Sequence, residues 1–324
     1  MQIGAYALEN PVVLAPMAGV ADVAFRSVCL SCGAGLAVGE MVASNQLLRK
    51  TVKTERRYRV SSAEKVPVIQ ILGADPGCMA EAASYAESCG AKIVDVNFGC
   101  PARVVCGKAC GSALMADVPL AVRVLQAVRN AVSVPVTVKM RTGWDAEHKT
   151  VLELAKAAEE IGFSAVTVHG RTREQRFSGS VDYETIAEVA SLISIPVIAN
   201  GDIDSGAKAL RVMKETGAAG VMIGRAAWGA PWIFREIADV LARRETRAVT
   251  LEEKRQIILA HWQAHVSEFR SESEAVRSFR KHVLHYLNPF PEGKVAAQRI
   301  FKLDKADLVR RALEEFFQER LWTA

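Results

Sequence analysis

No stretch of this 324-residue chain approaches the roughly 18 uninterrupted apolar residues that a membrane span requires. The opening MQIGAYALENP has no basic region followed by an apolar one, so no secretory leader is expected. The seven cysteines are odd in number and show no pairing pattern, which argues for a reducing compartment and against a disulfide scaffold. Cys100, Cys106 and Cys110 match no zinc or cluster spacing, so no metal is expected from them. There is no low-complexity segment, and no GxGxxG follows the first apolar run, which weighs against a doubly wound dinucleotide fold. The expectation is a cytoplasmic protein with no membrane contact and no obligatory protein partner.

Half of the residues are apolar, enough for a large core, and the length suggests about two domains. Eight short Val/Ile/Leu runs recur, at 12–19, 35–42, 66–73, 91–99, 134–143, 165–172, 195–203 and 220–226. Each is nearly continuous rather than strictly alternating, as in parallel strands covered on both faces. The connections read as helices: Val151, Leu154, Ala155, Ala158 and Ile161 share one face, and Gly162 stops the helix. Gly90 and Gly217 end two others. Eight strand–helix units in this length predict a (β/α)8 TIM barrel over residues 1–243.

From about 244 the strand-like runs cease, and helical segments continue to 324. Thr250 followed by an acidic turn reads as a helix start. From Arg243 onward the chain carries 16 Lys+Arg against 12 Asp+Glu, an excess of 4, so the net +5 of the whole leaves residues 1–242 at only +1. Four of the six histidines, His261, His265, His282 and His285, also fall here. Arg277, Lys281 and His285 stand one helical turn apart. A basic appendage on a near-neutral body is a weak hint of a polyanionic partner, and charge alone favours a solvated helical face.

Polar residues gather at the C-terminal ends of the strands, where a barrel builds its site. They are Pro16, Met17 and Ala18, Glu40, Gln70, Asn97 and Cys100, Lys139 and Arg141, His169 and Arg171, Asn200, Gly201 and Asp202, and Gly224 and Arg225. The glycines after strands seven and eight, with Arg225, form the place where many barrels bind phosphate. On spacing alone, Cys100 is as readily a small buried hydrophobe as a reactive thiol.

In these motifs the chain resembles the tRNA-dihydrouridine synthase family, in particular its bacterial B subgroup. The resemblance runs through APMAGVAD, GEMV, QILG, NFGCPARVV, GSAL, VKMRTGW, VHGRTREQRFSG, IPVIANGDI and MIGRAAWGAPWIF, with RKHVLHYL in the tail. It implies an FMN enzyme that reduces uridines of tRNA to 5,6-dihydrouridine with NADPH or NADH as reductant. By motif, Pro16, Met17 and Ala18 would line the flavin ring and Gln70 its pyrimidine edge. Lys139 would offset charge on the ring, and Asn200, Gly201, Asp202, Gly224 and Arg225 would hold its phosphate. His169 would contact flavin or target base. Asn97 would recognise the uracil, with Arg141 and Arg171 also facing substrate, and Cys100 would donate the proton. The tail, through Arg277 and Lys281, would bind tRNA. Phe98 stands where Met is common in the family motif, and Cys110 where a small residue is usual. A flavin enzyme of a small pyrimidine, similar to dihydroorotate dehydrogenases, and a tRNA-binding protein without catalysis are the alternatives. A phosphosugar aldolase would leave Cys100 idle.

Overall fold

The computed structural model describes residues 1–45, 51–107 and 109–321. A short antiparallel hairpin, β1 (Gln2–Ile3) and β2 (Tyr6–Ala7), precedes the barrel. Gly4 turns it at φ +54, and a Cβ there would strike Pro135 at 2.4 Å, so the turn requires glycine. The parallel strands follow as β3 (Val12–Leu14), β4 (Leu36–Ala37), β5 (Val42–Ala43), β6 (Val68–Leu72), β7 (Ile93–Phe98), β8 (Val136–Arg141), β9 (Ala165–His169), β10 (Val197–Asn200) and β11 (Gly220–Ile223). Their order around the sheet is β4-β3-β11-β10-β9-β8-β7-β6-β5. β4 and β5 are the two halves of one barrel strand, interrupted at 38–41, and the parallel bridge Val38 to Val68 closes the ring. The eight expected strands are therefore all present, the second of them broken around the buried Glu40, whose carboxylate accepts the Gly19 N–H.

Side chains alternate across a strand, so each run presents two sets. Val94, Val96 and Phe98 of β7, and Val136, Val138 and Met140 of β8, pack outward against the helices in one large core. The inward set is apolar only at the bottom, where Val13, Leu36, Val68, Ile93, Ala165, Ile198 and Met222 meet Ile3 of the hairpin. The hairpin therefore plugs the lower end of the cylinder. Higher up, the same inward period yields Gln70, Asp95, Asn97, Thr137, Lys139 and His169. Pairing places Asp95 between Gln70 and Thr137, Asn97 beside Lys139, and Asn200 beside His169. Register alone converts separate runs into one polar ring.

Helices stop as expected: Gly162 and Gly217 are left-handed C-caps at φ +97 and +68. Beyond residue 250 the helices Leu251–Ser267, Glu272–Leu287, Gly293–Ile300 and Ala306–Leu321 enclose their own cluster around Ile258, Trp262, Phe279, Val283 and Phe317. The first begins with a full capping box between Thr250 and Glu253. It packs against the barrel helix Val23–Ser31, which fixes the tail beside the mouth.

Candidate active site

The upper rim encloses a cavity of about 900 Å³, the size of a typical cofactor or ligand site. Pro16, Met17 and Ala18 line one wall, and Gln70, Asn97, Cys100, Lys139, Arg141, His169, Asn200, Gly201, Asp202, Gly224 and Arg225 line the rest. Arg171, Arg277 and Lys281 do not.

Beneath the cavity a hydrogen-bonded chain crosses three strands. Thr137 Oγ1 and Gln70 Nε2 each donate to the carboxylate of Asp95 at 2.6 Å. Asn97 Nδ2 donates to Gln70 Oε1 at 2.8 Å, while its Oδ1 accepts the backbone N–H groups of Gly99 and Cys100 at 3.1 and 2.9 Å. From the other side, Ser112 donates to the Cys100 carbonyl through its backbone N–H at 3.1 Å and its hydroxyl at 2.9 Å. A Cβ at Gly111 would meet that carbonyl at 2.8 Å, which is why glycine follows Cys110. The residue bearing the thiol is thus clamped fore and aft, although it lies on a loop. Asn97, expected to recognise a uracil, spends its side chain largely on this clamp. Asp95 and Thr137 were missed as site residues; the signal was a carboxylate inside an apolar strand.

Burial pushes the Cys100 thiol above its ordinary pKa, so it is protonated at neutral pH. Lys139 makes no hydrogen bond or ion pair among the described residues, and burial together with Arg141 lowers it to about 8. Burial, then the cations Lys139 and Arg141, drop His169 to about 2, so its imidazole is neutral at physiological pH. Asp95 is raised to about 6 by burial, despite its two hydrogen bonds.

The arginines of the rim divide their labour. Arg141 donates through Nε to the Gly99 carbonyl at 2.7 Å and through one terminal nitrogen to Thr172 and Arg176 carbonyls at 2.9 and 2.8 Å. It ties the Cys100 loop to the loop after β9. Arg171, expected to face substrate, is 1% exposed and turns away, donating to the Ser178 and Gly179 carbonyls and to Asp202. Long side chains reach carbonyls only the tertiary fold brings near, which sequence spacing does not show. Asp202 sits between Arg171 and Arg225, the latter at 2.5 Å, and the hydrogen bond from Arg171 lowers its pKa. Its carboxylate orients Arg225, whose side chain remains 60% exposed at the cavity edge. Over the mouth stands Phe177, 55% exposed, within cation–π reach of Arg141 at 5.5 Å and Arg225 at 5.3 Å. It is an exposed aromatic platform on a loop whose position the sequence does not give.

Phe98, the departure noted above, is wholly buried on the outward face of β7 and leaves the cavity unchanged. Cys106 Sγ lies 3.5 Å from the Cys100 carbonyl and from Ser112 Oγ, and the cysteines are free thiols.

The tail reaches this site. His285 stacks on Trp228, a cavity residue, with ring centroids 3.7 Å apart. Arg277 lies two turns back along the same helix, about 12 Å from His285 at the usual rise, and is exposed; Lys281 lies between them, partly buried.

A family model described as Dihydrouridine synthase (Dus) matches residues 13–320. The protein named tRNA-dihydrouridine synthase B of Shewanella oneidensis is 47% identical over 320 residues, which cover 98% of this chain and 99% of that one. Its namesake from Pseudomonas aeruginosa is 44% identical over 321 residues, covering 99% and 96%. Among solved structures, a mandelate oxidase mutant with benzaldehyde superimposes with a TM-score of 0.52 at 18% identity, covering 75% of this chain and 76% of that one. A variant of NCR from Zymomonas mobilis gives 0.53 at 14% identity, covering 78% and 93%. These two likenesses bear on the barrel fold.

Proposed function

This chain belongs to the dihydrouridine synthase family, and from that premise we propose that it reduces uridines of tRNA to 5,6-dihydrouridine at the barrel mouth. The observation that carries the reading is a neutral, half-buried thiol on a clamped backbone, lining the same cavity as a lysine unpaired among the described residues, with room for a cofactor and a flipped base.

FMN fits the residues present. The apolar shelf Pro16–Met17–Ala18 offers a face for a planar ring system. Lys139 lacks any anionic hydrogen-bonding partner among the described residues, which suits a group that gathers negative charge. At the far end, a Cβ on Gly224 would meet only Ala15 and Met17, at 3.8 and 4.0 Å, so its absence keeps the backbone open to the cavity. Arg225, aimed by Asp202, then supplies a cation for a phosphate. Gln70, Asn200, Gly201 and Asp202 complete the cradle. When bound, FMN supplies hydride for uracil C6, with NADPH or NADH as the source of electrons.

The chain's own groups do the rest. Cys100 Sγ gives its proton to C5 of the pyrimidine; an acid must be protonated to act, and burial keeps this thiol so. The Asn97 and Ser112 clamps hold the backbone that carries that sulfur, sparing the reaction the cost of ordering a loop. His169, held neutral, can donate or accept a hydrogen bond without adding charge. Arg141 and Phe177 frame the entrance, where an extruded base needs a stacking surface. Arg277 and Lys281 meet tRNA phosphates as the tail lays the substrate along its helix toward Trp228. Such a substrate places the work in the cytoplasm.

The test is incubation of the flavin-loaded protein with NADPH and an unmodified tRNA transcript, followed by mass spectrometry of the nucleosides. Dihydrouridine should accumulate at defined positions. Failure on tRNA, together with turnover of free uracil or dihydroorotate, would overturn the proposal in favour of a metabolite enzyme.

A further inference from the structure

Outside the cavity, where the tail meets the barrel, the three wholly buried imidazoles of His261, His265 and His282 crowd together. His261 and His282 ring centroids are 4.6 Å apart, and His265 and His282 are 6.0 Å apart. Among the described residues, four of their six ring nitrogens, Nε2 of His261, Nε2 of His265 and both of His282, have no hydrogen-bond partner, and His265 Nδ1 has only the Asp22 carboxylate near it. Buried polar atoms are nearly always bonded, so four orphans in one place call for an explanation.

The sixth nitrogen is informative. His261 Nδ1 lies 2.9 Å from the Tyr286 hydroxyl, which fixes the ring and directs bare Nε2 into the cluster. A partner on one imidazole nitrogen that orients the other is the usual outer-shell arrangement of a metal-binding histidine. His261 and His265 are four residues apart on one helix, so both rings fall on the same face. Opposite them stands Asp22, at the head of the barrel helix Val23–Ser31. Its Oδ1 accepts the Phe25 N–H at 2.9 Å as the helix cap, and its Oδ2 lies 3.3 Å from His265 Nδ1. One ligand atom from each of Asp22, His261 and His265 falls within 4.8 Å of the others. Ligands about 2 Å from a tetrahedral ion lie somewhat closer together than this, so binding draws the side chains inward by rotation.

We propose that Asp22, His261 and His265 form a structural zinc site that joins the catalytic barrel to the helical tail, with His282 beside it. Two imidazoles and a carboxylate suit Zn²⁺, and two wholly buried imidazoles, with only Asp22 partly exposed, suit a structural ion better than a catalytic one. The ion would lock the helix Leu251–Ser267 onto the rim next to Val20, a cavity residue, and so set the angle at which the tail meets the mouth. This inference stands apart from the choice of substrate. The cysteine spacing gave no metal motif because the ligands come from two distant segments.

The full-length protein, stripped with a chelator and dialysed, should take up about one Zn²⁺ per chain. Its melting temperature should rise by about 4 °C at a hundredfold excess over Kd. Co²⁺ in its place should show the intense visible bands of a tetrahedral centre. His265→Asn should abolish stoichiometric uptake. Asp22→Asn preserves the helix cap, so it should fold and yet bind at least about tenfold more weakly. Uptake equal to wild type in both variants would assign the metal to cysteines and overturn the proposal. Lack of any Zn²⁺ uptake or thermal shift in the wild type would overturn it equally, leaving only a buried Asp22–His265 contact.

Discussion

Replacing Asp95 by Asn should stabilise the folded protein at neutral pH and remove part of its pH dependence. Asp95 is 3% exposed in the middle of β7, and burial raises its carboxyl from an ordinary 3.8 to about 6. Between those two values the folded state holds a proton that the unfolded state has released. Stability therefore falls as pH rises from about 4 to 6, by about 3 kcal/mol when both states are ionised. An Asn at this position has the same shape. Its Oδ1 can still accept from Gln70 and its amide can donate to Thr137 once that hydroxyl rotates, at the cost of one lost acceptor for the hydroxyl, which offsets part of the gain. Loss of attraction to Lys139 offsets some of the gain. The expected benefit above pH 7 is about 1–3 kcal/mol, or roughly 2–4 °C for a chain of this length. The assay is the difference in melting temperature between wild type and Asp95→Asn, measured every half unit from pH 4 to 8. That difference should open across pH 4–6 and then stay level. A flat difference across the range would show that Asp95 is not the strained acid described, and the inward polar ring would need another account.

Arg225→Ala removes an exposed cation without touching the core and should weaken FMN binding roughly 10–100-fold, read by flavin fluorescence, with the melting temperature unchanged. Lys139 loses its proton near pH 8, so turnover should decline above that pH, and Lys139→Arg should move the decline upward; a profile flat to pH 10 would remove the lysine from the chemistry. Arg277→Ala with Lys281→Ala should weaken tRNA binding and lower its salt slope by about two. Unaltered affinity would place the tRNA on another face.

The barrel was legible because each strand is a short apolar run closed by turn residues, and the helix stops at Gly162 and Gly217 needed only local backbone rules. The rim ends gave most cavity residues, since period two sends Gln70, Asn97, Lys139 and His169 to the same side of the sheet. Tertiary reach was not legible. Arg171 carries the same charge as Arg225, but only the fold shows one spent on backbone carbonyls and the other on the cavity edge. Asp95 interrupted its strand conspicuously, yet its partners Gln70 and Thr137 lie 25 and 42 residues away in sequence. The tail histidines read as charge in the sequence, whereas three of the four are wholly buried.

The central claim is that the clamped thiol of Cys100 delivers the proton, and single-turnover kinetics of Cys100→Ala test it most directly. With flavin pre-reduced and tRNA in excess, the variant should retain full flavin content and wild-type tRNA affinity. Its rate of dihydrouridine formation should fall about 10²–10⁴-fold. A rate within a fewfold of wild type, or a loss of flavin that accounts for the whole defect, would contradict it.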